Sequence, residues 1–115
     1  MKLLTDAQLQ QLLKNGQETR EKEGGFDHFP VVKLFTPDGA CTWVLSEVDP
    51  SEPDLAFGLC DLGMGCPEMG YVLLSELASV RGRLGLPIER DLHFTAKKPL
   101  TAYADDARAA GCVVA

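Results

Sequence analysis

The spacing of apolar residues near the start of the chain predicts a helix. Leu9, Leu12 and Leu13 form a narrow apolar stripe at helical spacing, and the residues that follow are mostly polar. We expect a helix over residues 6–21 that is stopped by the glycine pair 24–25. Because its stripe is short, this helix is expected to pack at an edge of the fold.

The residues before this stripe carry the signals of a helix N-terminus. Thr5 is a good N-cap, and Gln8 three residues later completes a capping box. Leu4 is placed to pack against Leu9 as a hydrophobic staple. The helix is therefore expected to begin directly after Thr5.

A β-hairpin is predicted next. Residues 30–36 and 41–48 are rich in β-branched and aromatic side chains, which is typical of strands. A Pro-Asp-Gly sequence at 37–39 separates them and supplies a tight turn.

Strict alternation along the second strand divides its side chains between two faces. One face carries Cys41, Trp43 and Leu45, and the other carries Thr42, Val44 and Ser46. Because Trp43 shares its face with two other apolar side chains, we expect it to be buried in the core.

Composition and spacing predict two more strands and a short helix. Residues 55–62 predict a third strand, and residues 70–77 predict a fourth that runs into a short helix capped by Ser75. Residues 49–54 are a loop by composition, and residues 82–87 break the short helix.

The last part of the chain predicts a fifth strand and a third helix. Residues 89–96 alternate the apolar Leu92 and Phe94 with polar side chains, which indicates a strand with one solvent-facing side. Pro99 then opens a final helix, which Gly111 ends.

Together these elements predict a single domain of the α+β class. Sequential strands with short links favour a mainly antiparallel sheet of four to five strands. An N-terminal helix, a short middle helix and a C-terminal helix are expected to pack on one face of that sheet. The chain of 115 residues has the common size of one domain.

The sequence also indicates where the protein resides. No apolar run approaches the roughly 20 residues that a membrane-spanning helix needs. Glutamines and an aspartate interrupt the apolar residues of the N-terminus, which argues against a signal peptide. We therefore expect a cytoplasmic protein with no membrane contact.

The charge of the chain narrows the classes of partner. Seventeen Asp and Glu residues against 11 Lys and Arg residues give a formal net charge of −6. Nucleic-acid-binding proteins of the usual kind carry a basic face, so direct nucleic-acid binding is not expected. An acidic surface favours encounter with a basic macromolecule, although mild acidity also serves solubility alone.

The glycine-rich stretch 57–72 contains candidates for metal chemistry. Cys60 and Cys66 are further apart than the cysteine pairs of common zinc sites. Further ligands would have to come from isolated positions in the sequence, namely Cys41, Cys112, His28 or His93. We expect reduced, metal-free cysteines and no cofactor, and keep a small metal or thiol-redox protein as the second alternative function.

The same stretch does not indicate catalysis. Cys60 beside Asp61 would need His93 to form a thiol–imidazole pair, and nothing in the sequence places His93 there. The glycines at positions 58, 63, 65 and 70 lack the spacing of dinucleotide-binding and phosphate-binding loops. We therefore expect a non-enzymatic protein without catalytic residues.

Several short stretches, in order over nearly the whole chain, resemble one protein family. They are "VVKLFTP" at 31–37, Thr42-Trp43, "FGLCDLG" at 57–63, "PEMGYV" at 67–72, "ERDL" at 89–92 and "KPL" at 98–100. They are similar to a family of small bacterial proteins known only as a domain of unknown function. The resemblance implies carriage on plasmids, integrative conjugative elements and phage-like islands, and it brings no catalytic residues with it.

Two further classes of function follow from this resemblance and from the charge. The first is a counter-defence inhibitor of the anti-CRISPR or antirestriction type, which binds a host defence protein or protein complex. The second is a nucleic-acid-associated accessory or regulatory protein of a mobile element. The basic residues available for the second are Arg81, Arg83, Arg90, Lys97 and Lys98. The net charge favours the first.

Carboxylates in loops are the expected partner contacts, since loops meet partners while strands form the scaffold. The candidates are Asp49, Glu52, Asp54, Asp61 and Glu68. Trp43 is added as an aromatic anchor on the condition that its face is exposed.

Overall fold

The structure is a computed structural model that describes residues 2–23 and 26–115. These residues contain three helices and five strands. The helices are α1 (Asp6–Glu21), α2 (Leu74–Ser79) and α3 (Leu100–Ala110). The strands are β1 (Val32–Phe35), β2 (Thr42–Asp49), β3 (Glu52–Asp61), β4 (Glu68–Leu73) and β5 (Glu89–Arg90). They form one sheet in the order β4-β3-β2-β1-β5, with every neighbouring pair antiparallel. The predicted α+β fold is confirmed.

Helix α1 has the predicted start and packing. The Thr5 hydroxyl accepts a hydrogen bond from the Gln8 backbone N–H at 3.0 Å, and Gln8 Oε1 accepts from the Thr5 N–H at 2.9 Å. Leu12 is fully buried, and Leu9 and Leu13 pack around it. The glycine pair expected to stop this helix lies outside the described residues.

The hairpin predicted around residues 37–39 is confirmed. Strands β1 and β2 pair across it, with Leu34 opposite Trp43. Trp43 is 4% exposed, so its expected burial is also confirmed.

The sheet is covered on both faces, and the expectation that all helices share one face is wrong. Helices α1 and α2 bury Leu12 and Leu77 against the face that carries Leu45, which we call the first face. Helix α3 packs on the opposite, second face, against Val44 and Leu59. Since both sides of β2 carry large apolar side chains, each side needs a cover.

Residues 49–54 are the end of β2, a two-residue turn and the start of β3, not a loop. Asp49 pairs with Glu52, and the Asp49 carboxylate accepts from the Ser51 N–H at 2.9 Å and the Ser51 hydroxyl at 2.7 Å. This local bonding closes the turn. Pro53 fits in β3 because pairing with β4 begins only at Leu55, so no neighbour there requires its missing N–H.

Helix α2 is capped from a neighbouring strand and not by Ser75 as predicted. Leu73 occupies the N-cap position and makes no side-chain capping bond. The Asp54 carboxylate accepts from the Ser75 N–H at 2.8 Å and from the Ser75 hydroxyl at 2.6 Å. An acidic side chain on β3 thus satisfies the N-terminus of α2.

The fifth strand is shorter than residues 89–96. It ends at Arg90, because the Asp91 carboxylate accepts from the His93 N–H at 2.8 Å and turns the chain. Leu92 is consequently 69% exposed. The predicted helix between Pro99 and Gly111 is confirmed as α3. Within the described chain, none of the helices has the length and apolar character that crossing a bilayer requires.

Candidate functional site

Part of the second sheet face is left open beside α3. Glu47, Phe57 and Tyr71 pair in a row across β2, β3 and β4, next to the row that α3 covers. A cleft of about 310 Å³ lies over this open row. We call it the open-face cleft, and it is also lined by Thr19, Phe26, His28 and Met69.

A β-bulge points Glu47 into this cleft. The pairing of β2 with β3 passes from Leu45 opposite Gly58 to Glu47 opposite Phe57, which leaves Ser46 as the extra residue. Strict alternation would have placed Glu47 on the first face with Leu45. Sequence analysis missed Glu47 for this reason. The available signal was a charged residue at a position where the alternation demands an apolar one.

The end of α1 forms one wall of the cleft. Strand β1 pairs with β2 only as far as Leu45, so the following residues of β2 have an open edge. Helix α1 lies along that edge, where the Asn15 side-chain amide donates to the Ser46 carbonyl at 2.9 Å. The last turn of α1 therefore brings Thr19 to the rim of the open row.

Thr19 links two titratable side chains of the cleft. Its hydroxyl donates to Glu47 Oε1 at 3.2 Å and lies 3.0 Å from His28 Nε2. Because a hydroxyl has one proton to donate, Thr19 must accept from His28, which places a proton on Nε2. The Phe26 ring stacks on the buried His28 ring at 4.6 Å and holds its orientation. The three polar groups form one directed chain that ends on Glu47.

Glu47 is an acidic residue of the cleft whose pKa is shifted from its ordinary value. Burial raises the pKa of its carboxyl group above the ordinary value of 4.5, while the Thr19 hydrogen bond and the nearby His28 lower it by smaller amounts. Asp49 beside it behaves in the opposite way, because hydrogen bonds from the Ser51 hydroxyl and N–H lower its pKa. Asp49 also pairs with Arg20 at 2.9 Å. Of the two neighbouring carboxylates, Glu47 has no cationic partner among the described residues.

The raised pKa of Glu47 predicts a pH-dependent effect of Glu47→Gln on stability. The folded state holds the Glu47 proton more tightly than the unfolded state, so ionisation of Glu47 lowers stability as pH rises from about 4.5 through the folded pKa. Glutamine cannot ionise, so the stability of Glu47→Gln relative to the parent is expected to increase across that window. Urea unfolding at a series of pH values measures this difference. Glu52→Gln removes one negative charge elsewhere, and the same trend in that variant would contradict the assignment.

Aromatic side chains form the outer part of the cleft. Tyr71 is 66% exposed and Phe26 is 43% exposed. The Tyr71 ring packs on the half-buried Phe57 ring at a centroid distance of 5.0 Å and a tilt of 59°. The cleft thus combines a carboxylate at its base with exposed aromatic surface at its rim.

The five carboxylates proposed from the sequence do not form one surface. Glu52 and Asp54 lie at the start of β3, with Asp49 opposite Glu52 at the end of β2. Asp61 ends β3, and Glu68 lies beside that end at the start of β4. At about 3.3 Å per residue, the length of β3 separates these groups by roughly 30 Å. Only Asp49 lies beside the open-face cleft.

Structural roles occupy three of these carboxylates. Asp49 closes the turn between β2 and β3. Asp54 caps α2 through Ser75. Asp61 is 3% exposed and accepts from the Gly63 and Val113 backbone N–H groups, so the expectation that it lies in an exposed loop is wrong. Glu52 and Glu68 are exposed, and a partner role for them stays a prediction.

The structure also shows where the other residues considered in the sequence analysis lie. The condition for Trp43 as an anchor is not met, because its side chain is buried against the first face. Cys60 is half-buried at the end of β3, and burial raises the pKa of its thiol, while Cys66 is exposed in the following loop. His93 is exposed in the turn after β5. Across residues 2–23 and 26–115, no three His, Cys, Asp or Glu residues are grouped as metal ligands.

Comparison with known proteins gives one match. A family model described as "Protein of unknown function (DUF2958)" matches residues 3–114. Neither a curated protein nor a solved structure matches the chain.

Proposed function

We propose that this chain, which belongs to the DUF2958 family of proteins of unknown function, acts by binding another protein. The proposal rests on features of its own surface. The partner docks on the open part of the second sheet face. The observation that carries this proposal is the open-face cleft, where exposed aromatic side chains surround a half-buried carboxylate. Aromatic side chains that stay exposed on a folded surface are typical of the residues that anchor protein interfaces.

The composition of the cleft supports a protein partner. Aromatic residues and methionine are enriched where protein interfaces are fully desolvated, and Tyr71, Phe26 and Met69 supply such a surface here. A volume of about 310 Å³ is at the small end of ligand pockets, which suits the side chains of a docked segment. The net charge of −6 favours a partner with a basic surface.

A finer form of the proposal is that the protein is a stoichiometric counter-defence inhibitor of a mobile element, of the anti-CRISPR or antirestriction type. The resemblance described for the sequence supports the mobile-element setting, and the acidic charge supports a target that normally holds nucleic acid. In this role the chain occupies a surface on the target and catalyses no reaction.

Tyr71→Ala tests the docking surface. In cells with an active defence system, the parent protein is expected to restore phage plating or plasmid transformation. Loss of the exposed Tyr71 ring should weaken partner binding by roughly thirtyfold, the effect of a removed interface hot spot of about 2 kcal/mol. The assay would therefore show reduced rescue at equal protein level.

Leu84→Ala is the matched control, since Leu84 is 79% exposed in the loop after α2. Equal rescue by Tyr71→Ala and the parent would overturn the docking surface. Failure of the parent across a panel of CRISPR and restriction systems would overturn the counter-defence role. A gel shift with single- and double-stranded DNA across salt concentrations distinguishes the accessory nucleic-acid role, which requires steeply salt-dependent binding.

A further inference from the structure

The base of the open-face cleft holds a carboxylate oxygen that is available to a ligand. Glu47 Oε1 accepts from Thr19, whereas Oε2 accepts from no described residue and still reaches solvent. The other charged side chains in the cleft or directly beside it already have hydrogen-bond partners. Arg20 donates to Asp49 at 2.9 Å, and Asp27 accepts from the Thr101 N–H at 3.2 Å. Glu47 Oε2 is therefore a carboxylate oxygen at the base of the cleft that keeps an open acceptor position.

The aromatic rim suits a cationic donor. The Tyr71 ring contacts Phe57 at a centroid distance of 5.0 Å, and Tyr71 is still 66% exposed to solvent. Cations bind over such ring faces, and the attraction is stronger where water is excluded. A carboxylate below and ring faces beside the same space together complement a positively charged group.

We propose that the open-face cleft recognises one arginine side chain of the docked partner, with its guanidinium paired to Glu47 Oε2 and stacked on Tyr71. This assignment rests on the proposed function, because it names the chemistry by which that partner is recognised. A guanidinium is planar, weakly hydrated and rich in directed N–H donors, so it can stack on a ring and bond to a carboxylate at once. A lysine ammonium is a compact, strongly hydrated point charge that uses the ring and the carboxylate less well.

The directed chain on the other side of Glu47 fits this assignment. His28 donates to Thr19 and Thr19 donates to Glu47 Oε1, so the occupied oxygen and the available oxygen have separate roles. An incoming guanidinium compensates the carboxylate charge that burial leaves unpaired. Among the described residues Glu47 has no cationic partner, and the arginine of the partner protein supplies one.

The test is a titration of the full chain with N-acetyl-arginine amide, followed by two-dimensional NMR. Saturable shifts are expected at Thr19, Glu47 and Tyr71. N-acetyl-citrulline amide, which is neutral and of the same shape, should produce none of them. Glu47→Gln should raise the dissociation constant about tenfold, as expected for loss of a charge-assisted hydrogen bond. Glu89→Gln, which removes an exposed carboxylate from β5 at the far edge of the sheet, should leave it unchanged.

Four results would overturn arginine recognition. They are no binding of the arginine probe, equal binding of the citrulline probe, equal weakening by Glu47→Gln and Glu89→Gln, and tighter binding of N-acetyl-lysine amide. These outcomes are separable from failure of the proposed function. Arginine recognition alone fails if Tyr71→Ala still reduces rescue in cells while the arginine probe does not bind. The docking surface fails if Tyr71→Ala retains rescue.

Discussion

Replacing Gly16 with alanine is expected to destabilise the fold by about 3 kcal/mol or more, the upper range for an overpacked buried site. Gly16 is buried in α1 where the helix lies on β2, and a Cβ atom there would be 1.8 Å from the Val48 carbonyl oxygen. The Val48 carbon and a Pro50 side-chain atom are also within 3.3 Å. Because the nearest obstacles are backbone atoms, relief requires α1 to move off the sheet.

Whether Gly16→Ala lowers or raises the free energy of unfolding distinguishes the effect of tertiary contact from that of helix propensity. In an isolated helix, alanine in place of glycine stabilises by roughly 1 kcal/mol. Gly70→Ala is the matched control, since a Cβ atom on Gly70 would meet nothing within 4 Å. Denaturant unfolding of both variants measures the difference. A Gly16→Ala protein as stable as the parent would show that α1 does not approach β2 at Val48.

Local signals in the sequence were sufficient for the elements that depend on near neighbours. The capping box of α1 joins Thr5 and Gln8, and the first hairpin closes over the six residues between Phe35 and Thr42. Each of these features is closed by contacts a few residues apart, so propensity and turn chemistry decide them. The same holds for the end of α3 at Gly111, where φ is +79° and glycine is favoured.

The features that the sequence did not predict depend on contacts between residues far apart in the sequence. Asp54 caps α2 across 21 residues, and Asn15 of α1 bonds to Ser46 across 31 residues. Local composition predicts a loop at Asp54. It carries no information about the helix, 21 residues later, that the Asp54 side chain caps. The register of β2 against β3 was also not predictable from local sequence. The extra residue Ser46 in β2 places Glu47 on the opposite face of the sheet from the one that strict alternation gives.

The candidate cleft was beyond sequence reasoning because four separate segments build it. Thr19 comes from α1, His28 from the segment before β1, Glu47 from β2 and Tyr71 from β4. None of these residues stands in a motif with another. The sequence indicated an acidic binding protein, but it placed the carboxylates in loops, whereas the structure sets the informative carboxylate on a bulged strand.

Asp61→Ala is expected to lower stability by about 3 kcal/mol, the cost of losing two hydrogen bonds to a charged, buried acceptor. Asp61 Oδ1 accepts from the Gly63 N–H at 2.8 Å, and Oδ2 accepts from the Val113 N–H at 2.9 Å. The side chain therefore joins the turn after β3 to the end of the chain that follows α3. Its removal leaves both donors without their acceptor and releases the C-terminal residues.

Hydrogen exchange and denaturant unfolding together test this role, because they separate a structural carboxylate from a partner contact. In Asp61→Ala, the Gly63 and Val113 amides should exchange faster and the unfolding midpoint should fall. Glu68→Ala removes an exposed carboxylate at the same end of the sheet and should change neither quantity. Unaltered stability and exchange in Asp61→Ala, with weakened partner binding, would instead support the original assignment of Asp61 as a surface contact. The two roles predict opposite results because a carboxylate that already accepts two backbone N–H groups in a buried site has little capacity left for a partner.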